Sequence, residues 1–291
     1  MSENSRAIIY LIVSSLLWGG VFHVIKYPLA VAPPFVLLTA RFTLTAVVLL
    51  PFLIRRQNYR LALNPRVFGK ILLLSLIGIC GYNIFFTYGM AVSDPATGSL
   101  IIAANPVMTT LLAALWKKEK ISAARWAGIV LAFLGLAWIV FEGRLENAVH
   151  LKLGAGNLIL LGAPFVWAIY SIESRSVMAH VPSTVMTAAL VLLSLPPQAA
   201  VAAYQLDGWA WAMSAPFWLG VAYLGIFATG VSYLFWNEGI RILGAARSSI
   251  FVNLIPVTSL AIAFFRGQPL YAHHFIGGAI VILGVVLATR K

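Results

Sequence analysis

The chain has 291 residues, of which 61% are hydrophobic and only 10% charged, with a mean hydropathy of +0.94. A soluble domain carries about a quarter charged residues, and a core this apolar would leave faces that its few polar residues cannot cover. The net charge of +12 does not point to nucleic acid, because the basic residues stand in short connections between apolar runs and read as a topology signal.

A bilayer core about 30 Å thick needs roughly 20 mainly apolar residues in a helix. The first such run, 7–25, follows Arg6 and continues through Trp18-Gly19-Gly20-Val21-Phe22 without an A-x-A cleavage site, so it is expected to be a retained first helix. The second, 34–54, carries Arg41 one or two turns in, where the side chain is expected to snorkel to the outer interface. The third, 68–91, contains the single cysteine, Cys80, which has no partner for an internal disulfide and packs as a small hydrophobe. Across Ser93-Asp94-Pro95, with Asp94 as cap and Pro95 in the first turn, the chain enters 96–116 and then 122–141. The runs 154–172, 183–206 and 215–240 follow, and a short turn at Leu243-Gly244-Ala245 leads to 245–265 and 272–289. The expected fold class is an all-α membrane protein of ten transmembrane helices.

Charge fixes the expected orientation. With the N-terminus cytoplasmic, fifteen basic residues, among them Arg55, Arg56, Lys117, Lys118 and Lys120, fall inside, and four (Lys26, Arg144, Lys152 and Arg266) fall outside. That imbalance puts both termini in the cytoplasm.

Shifted by 150 residues, the sequence matches itself over 81–113 and 231–263: Phe85 with Phe235, Gly89 with Gly239, Ser99 with Ser249, Pro106-Val107 with Pro256-Val257. The spacing from glycine to proline is seventeen residues in both copies. A one-residue slip pairs Trp18 with Trp167, and Gly128 and Gly135 with Gly277 and Gly284. Two units, 1–145 and 150–291, each hold five spans, and an odd number makes the second cross the membrane in the opposite sense. This is the inverted-repeat plan of secondary transporters, with the substrate site between the halves near the midplane.

The stretches Asn105-Pro106-Val107-Met108-Thr109-Thr110, Lys118-Glu119-Lys120-Ile121-Ser122, Trp126-Ala127-Gly128 and Leu134-Gly135 resemble the end of a repeat in the drug/metabolite transporter superfamily, as do Ile255-Pro256-Val257, Gln268-Pro269-Leu270, Ile276-Gly277-Gly278 and Leu283-Gly284. More narrowly the chain resembles the ten-helix EamA-type exporters, and within them the YddG-type exporters of aromatic and other amino acids. The Trp18-Gly19 and Arg41-Phe42 pairs suit that family, whereas Gln268 departs from the repeat by standing where the first copy has Glu119. The resemblance implies amino acid efflux across the bacterial inner membrane.

A carrier needs a wettable cavity, so mid-span polar and aromatic residues are the candidates. The third span offers Tyr82, Asn83 and Phe86, positions 82 and 86 sharing a face at i, i+4 spacing, and the eighth offers Trp236 and Asn237 beside Ser232 and Tyr233. The first and sixth offer Trp18, Phe22, Trp167 and Tyr170, and the fourth and ninth offer Ser99, Asn105, Ser249 and Asn253. Together they describe an aromatic pocket with a few hydrogen-bonding groups, suited to a zwitterion with an apolar side chain. The bland alternative is that Trp and Tyr form interface belts while Asn and Ser bind helices together. Pro106 and Pro256, mid-span, are expected hinges that free the carbonyls of Ile102 and Val252.

No Walker-type nucleotide loop, metal cluster or nucleophile–base–acid set occurs, so the expectation is a carrier and not an enzyme, without cofactor, metal, nucleic acid or obligatory protein partner. The alternative within transport is a carrier of another metabolite or drug, and the alternative of another class is a membrane-embedded enzyme or lipid-handling protein. No carboxylate stands at the centre of the first span, which speaks against a proton-coupled exporter of lipophilic cations.

Overall fold

A computed structural model describes residues 2–55, 59–92, 101–144, 146, 155–205, 214–267 and 271–289. Among these residues the structure is all helix and turn, with no strand. Ser99, Gln268 and the turn at Ser93-Asp94-Pro95 lie outside them.

The first apolar run forms α1 (Glu3–Val24), which starts four residues early because the Ser2 side chain accepts the Ser5 N–H and caps it. After the short α2 (Lys26–Val31), α3 (Pro34–Ile54) spans the second run as expected. The third run is a composite. Beyond the short α4 (Tyr59–Ala62), α5 (Pro65–Leu74) widens into a π-helical stretch, Ser75–Gly81, and re-forms as α6 (Tyr82–Val92). Then come α7 (Asn105–Trp116), α8 (Ala123–Val140), α9 (Ala155–Met178) and α10 (Ser183–Gln205). The eighth run repeats the third: α11 (Ala215–Ala222), a π-helical stretch Tyr223–Val231, and α12 (Ser232–Leu243). Gly244, at φ +86°, turns the chain into α13 (Ala245–Ser249), where a side chain would be strained. One 3₁₀ turn, Ile250–Asn253, precedes α14 (Leu254–Phe265), and α15 (Ala272–Thr289) is the last described helix.

Eight of these helical segments are long and apolar enough to cross a bilayer, and Ala272–Ala288 is a shorter apolar helix. The predicted span 96–116 is described only from Ile101 onward. Large apolar side chains such as Val47, Leu115, Leu219 and Phe265 point outward, as they do in a protein solvated by lipid.

Lipid tails are as apolar as leucine, so helix association here rests on close backbone approach and polar cross-links. The tightest pair is α8 with α15. A β-carbon on Gly128 would lie 2.6 Å from the Gly284 carbonyl oxygen, and one on Gly135 would lie 2.8 Å from that of Gly277. The two helices therefore run antiparallel, and each of these glycines faces not its own repeat match but the match of the other: Gly128 faces Gly284, and Gly135 faces Gly277. Buried hydroxyls join other elements: Ser15 donates to the Phe251 carbonyl at 2.8 Å, Thr45 to Gly225 at 2.7 Å, and Ser75 to Leu190 at 2.7 Å.

The pairing of elements is the same when the halves are exchanged. α1 packs on α12 and α14 of the second half, while α9 packs on α6 and α7 of the first. α3 packs on the second π-helical stretch, α10 on the first, and α3 and α10 pack on each other.

Candidate substrate chamber

The first helix of each half delivers a tryptophan to the centre. Trp18 and Trp167 meet edge to face, with ring centroids 5.5 Å apart at 82°. Around them Tyr82 lies 4.8 Å from Trp167 and stacks on Phe86 at 5.8 Å, while Phe86 meets Phe22 edge-on at 5.9 Å. Tyr233 stands 5.8 Å from Trp167, and Trp236 stands 4.9 Å from Trp18. Two positions are fixed by hydrogen bonds: the Trp18 indole N–H donates to the Ala228 carbonyl at 2.8 Å, inside the second π-helical stretch. The Asn83 amide donates to the Ile79 carbonyl at 2.8 Å.

These rings wall a chamber of about 50 Å³ lined by Trp18, Phe22, Tyr82, Asn83, Phe86 and Trp167, with Arg41, Asn105, Tyr233, Ile102 and Val252. That is room for a few waters and too little for an amino acid. Next to it opens a vestibule of about 770 Å³, which shares Phe22, Ile102, Val252 and Ile255 with the chamber and widens toward Ser259, Glu142, Tyr271, His273 and His274. His23, at that end of α1, meets Ser259 at 2.9 Å.

The opposite end, where α1 begins, is tied across the halves by ion pairs. Arg6 faces Glu238 at 3.7 Å, Arg175 faces Glu119 at 3.8 Å, and Lys117 pairs with Glu173. Glu238 also accepts from Arg241 at 2.7 Å and from Ser183 at 2.8 Å.

Of the residues singled out in the sequence, Trp18, Phe22, Tyr82, Asn83, Phe86 and Trp167 line the chamber. Tyr170 and Trp236 stand behind its wall, in ring contact with Trp167 and Trp18. Asn237 bonds elsewhere: it accepts from the Tyr170 hydroxyl at 2.8 Å and donates to Thr187 at 2.9 Å. Ser249 donates to its own helix at Ala246, away from the chamber. Asn253 is fully buried, and its amide finds no partner among the described residues. Pro106 and Pro256 each sit in the first turn of a helix resuming after an interruption, α7 and α14, where a missing N–H costs nothing.

One expectation is corrected. Arg41 does not snorkel: it is 5% exposed, lines the chamber, and its Nε donates to the Thr229 hydroxyl at 2.6 Å. The eighth run passes so close to α3 at this level that a β-carbon on Gly225 would lie 2.8 Å from the Arg41 carbonyl oxygen. Thr229 stands one π-turn further along, its own hydroxyl donating to Leu224 at 2.8 Å. Sequence marked Arg41 as a charge within a span and as part of a pair that suits the family; no local pattern reveals a partner 188 residues away.

Comparison with known proteins agrees with this architecture. A protein of Bacillus subtilis strain 168 named "Uncharacterized transporter YyaM" is 29% identical, over 94% of this chain and 90% of its own. A "Probable terminal-alkyne amino-acid exporter" of Streptantibioticus cattleyicolor is 27% identical, over 99% and 94%. A "Riboflavin transporter" of Vibrio cholerae is 25% identical, over 86% and 80%. One crystal structure superposes with a TM-score of 0.79 over 98% of this chain and 96% of its own; at 22% identity it speaks for the fold alone. The sequence profile of the EamA-like transporter family matches twice, at residues 5–141 and 154–290. With two matches spanning nearly the whole chain, this multi-pass membrane protein belongs to the EamA-like transporter family.

Proposed function

We propose that the protein is a secondary carrier exporting amino acids, aromatic ones included, across the bacterial inner membrane by alternating access. Its two units, 1–145 and 150–291, are five-span repeats of opposite sense, ten spans in all, with both termini cytoplasmic. The antiparallel meeting of Gly128 with Gly284 and of Gly135 with Gly277 supports that symmetry, as does the exchange of packing partners between halves. The asymmetry of basic residues supports the orientation.

The observation that carries the substrate class is the aromatic chamber at the Trp18–Trp167 contact. Ring faces stack an apolar side chain and attract an ammonium group, and Asn83 and Asn105 add amide groups to the wall. Closed by ion pairs at the Arg6 end and open to the vestibule at the other, the molecule stands in an outward-facing state in this orientation. Rocking the halves would break the pairs and expose the chamber to the cytoplasm. Substrate entry requires Trp18 or Phe22 to withdraw, because the chamber in this state is smaller than an amino acid.

Efflux of radiolabelled phenylalanine, and a wider amino acid screen, from proteoliposomes holding the purified chain tests this reading. Substrate-dependent efflux above empty vesicles is the expected result; no movement of any amino acid would remove it.

A further inference from the structure

Among the described residues Arg41 carries the only positive charge on the wall of the chamber, and no described acid faces it. The described carboxylates are those of Glu3, Glu119, Glu142, Glu146, Glu173 and Glu238, and none lines the chamber or pairs with Arg41. Among the described residues its guanidinium makes one hydrogen bond, through Nε to Thr229, and its arene neighbour Phe42 lies 5.4 Å away. The Thr229 proton is engaged by Leu224, so Thr229 presents a lone pair to Nε and fixes how the fork is turned. The two terminal amino groups keep their N–H donors for another acceptor. A second unmatched donor stands on the same wall: the indole N–H of Trp167, a residue 3% exposed, has no partner among the described residues.

A buried cation without a counter-charge is costly unless something anionic visits it. Guanidinium presents parallel N–H groups matched to the two oxygens of a carboxylate, which makes arginine the usual partner for that group. We propose that Arg41 is the counter-charge for a substrate carboxylate, so that the carrier selects molecules bearing a carboxylate and rejects their neutral and cationic analogues. This rests on the transport reading of the same chamber. It also sets the orientation of a zwitterion: the carboxylate goes to Arg41, and the ammonium group, repelled by it, goes to the faces of Tyr82, Trp18 and Phe86.

The test compares phenylalanine, phenylalaninamide, 3-phenylpropionate and phenethylamine, both for efflux from proteoliposomes and for thermal stabilisation of the purified full chain. The wild type should move phenylalanine in preference to phenylalaninamide, and the two carboxylates should raise its melting temperature where the two amines do not. Arg41→Gln should lower the preference for carboxylate by at least about tenfold. Arg41→Lys, which keeps the charge and loses the fork, should retain part of it, and Thr229→Val should weaken it with the charge in place. If Arg41→Gln fails to fold, Arg41→Lys and Thr229→Val still decide the matter. Amino acid transport with no carboxylate preference, or a preference untouched by all three variants, overturns the role of Arg41 and leaves the carrier reading standing. Movement of 3-phenylpropionate without any amino acid would do the reverse. Stabilisation by the amines and not by the carboxylates would overturn the proposal outright.

Discussion

Trp18 and Trp167, the tryptophans of the first helix in each half, touch edge to face 5.5 Å apart although 149 residues separate them in sequence. Residues that the internal repeat makes equivalent are in direct contact, so this pair lies on the seam between the halves. In the proposed alternating-access cycle a contact placed there would change as the halves move.

Replacing a ring at this seam should therefore act on transport. Tyr82→Ala removes a ring that touches Trp167 and Phe86 on the chamber wall. Efflux should fall by tenfold or more, given about 0.5–1.5 kcal/mol for each aromatic pair lost plus the ring's area. Trp167→Phe keeps a ring but loses the unpartnered N–H and should act in the same direction, less strongly. Insertion, read by membrane fractionation, should be unchanged in both. Unaltered kinetics in both variants would place the site elsewhere.

The α8–α15 crossing leaves no room for a side chain. Gly128→Leu drives a β-carbon to 2.5 Å from the Ala288 amide nitrogen, which is backbone and cannot swing aside. A loss of at least about 1–3 kcal/mol is expected, visible as a lower melting temperature in detergent. Gly278→Ala, on the same helix with nothing within 4 Å, should be neutral or slightly stabilising. Equal effects from the two would mean that the crossing is not the cause.

In the proposed cycle the ion pairs at the Arg6 end hold one state. Their side chains are partly exposed, so each is worth about 0.2–1 kcal/mol. Glu173→Gln together with Glu238→Gln should shift the population toward opening at that end by up to about tenfold. Distances between spin labels on the ends of α7 and α9 would report the shift, and an unchanged distance distribution would show that the pairs do not gate.

Pro256→Ala restores an N–H at the start of α14 and favours a helix running unbroken through Ile250–Asn253. Turnover should fall several-fold with substrate affinity retained, if this interruption is where the half bends. Full turnover would assign the proline to starting the helix and nothing more.

Sequence alone determined the class, most span boundaries and the aromatic members of the chamber. Hydropathy sums over a window, and a bilayer imposes the same length on every helix, so that information is local. The helix over 34–54 came out as Pro34–Ile54, and the turn at Gly244 appeared where its glycine indicated. Mid-span tryptophan and tyrosine likewise announce themselves by type. Only the tertiary structure decided which polar groups line the chamber. Asn237 looks equal to Asn83 in sequence, yet Tyr170 and Thr187 engage it across helices, while Asn83 bonds within its own helix and lines the chamber. Arg41 faces inward because α3 lies against the π-helical stretch that carries Thr229. A side chain's partners come from helices distant in sequence, and their relative rotation is set by packing, which no single span encodes.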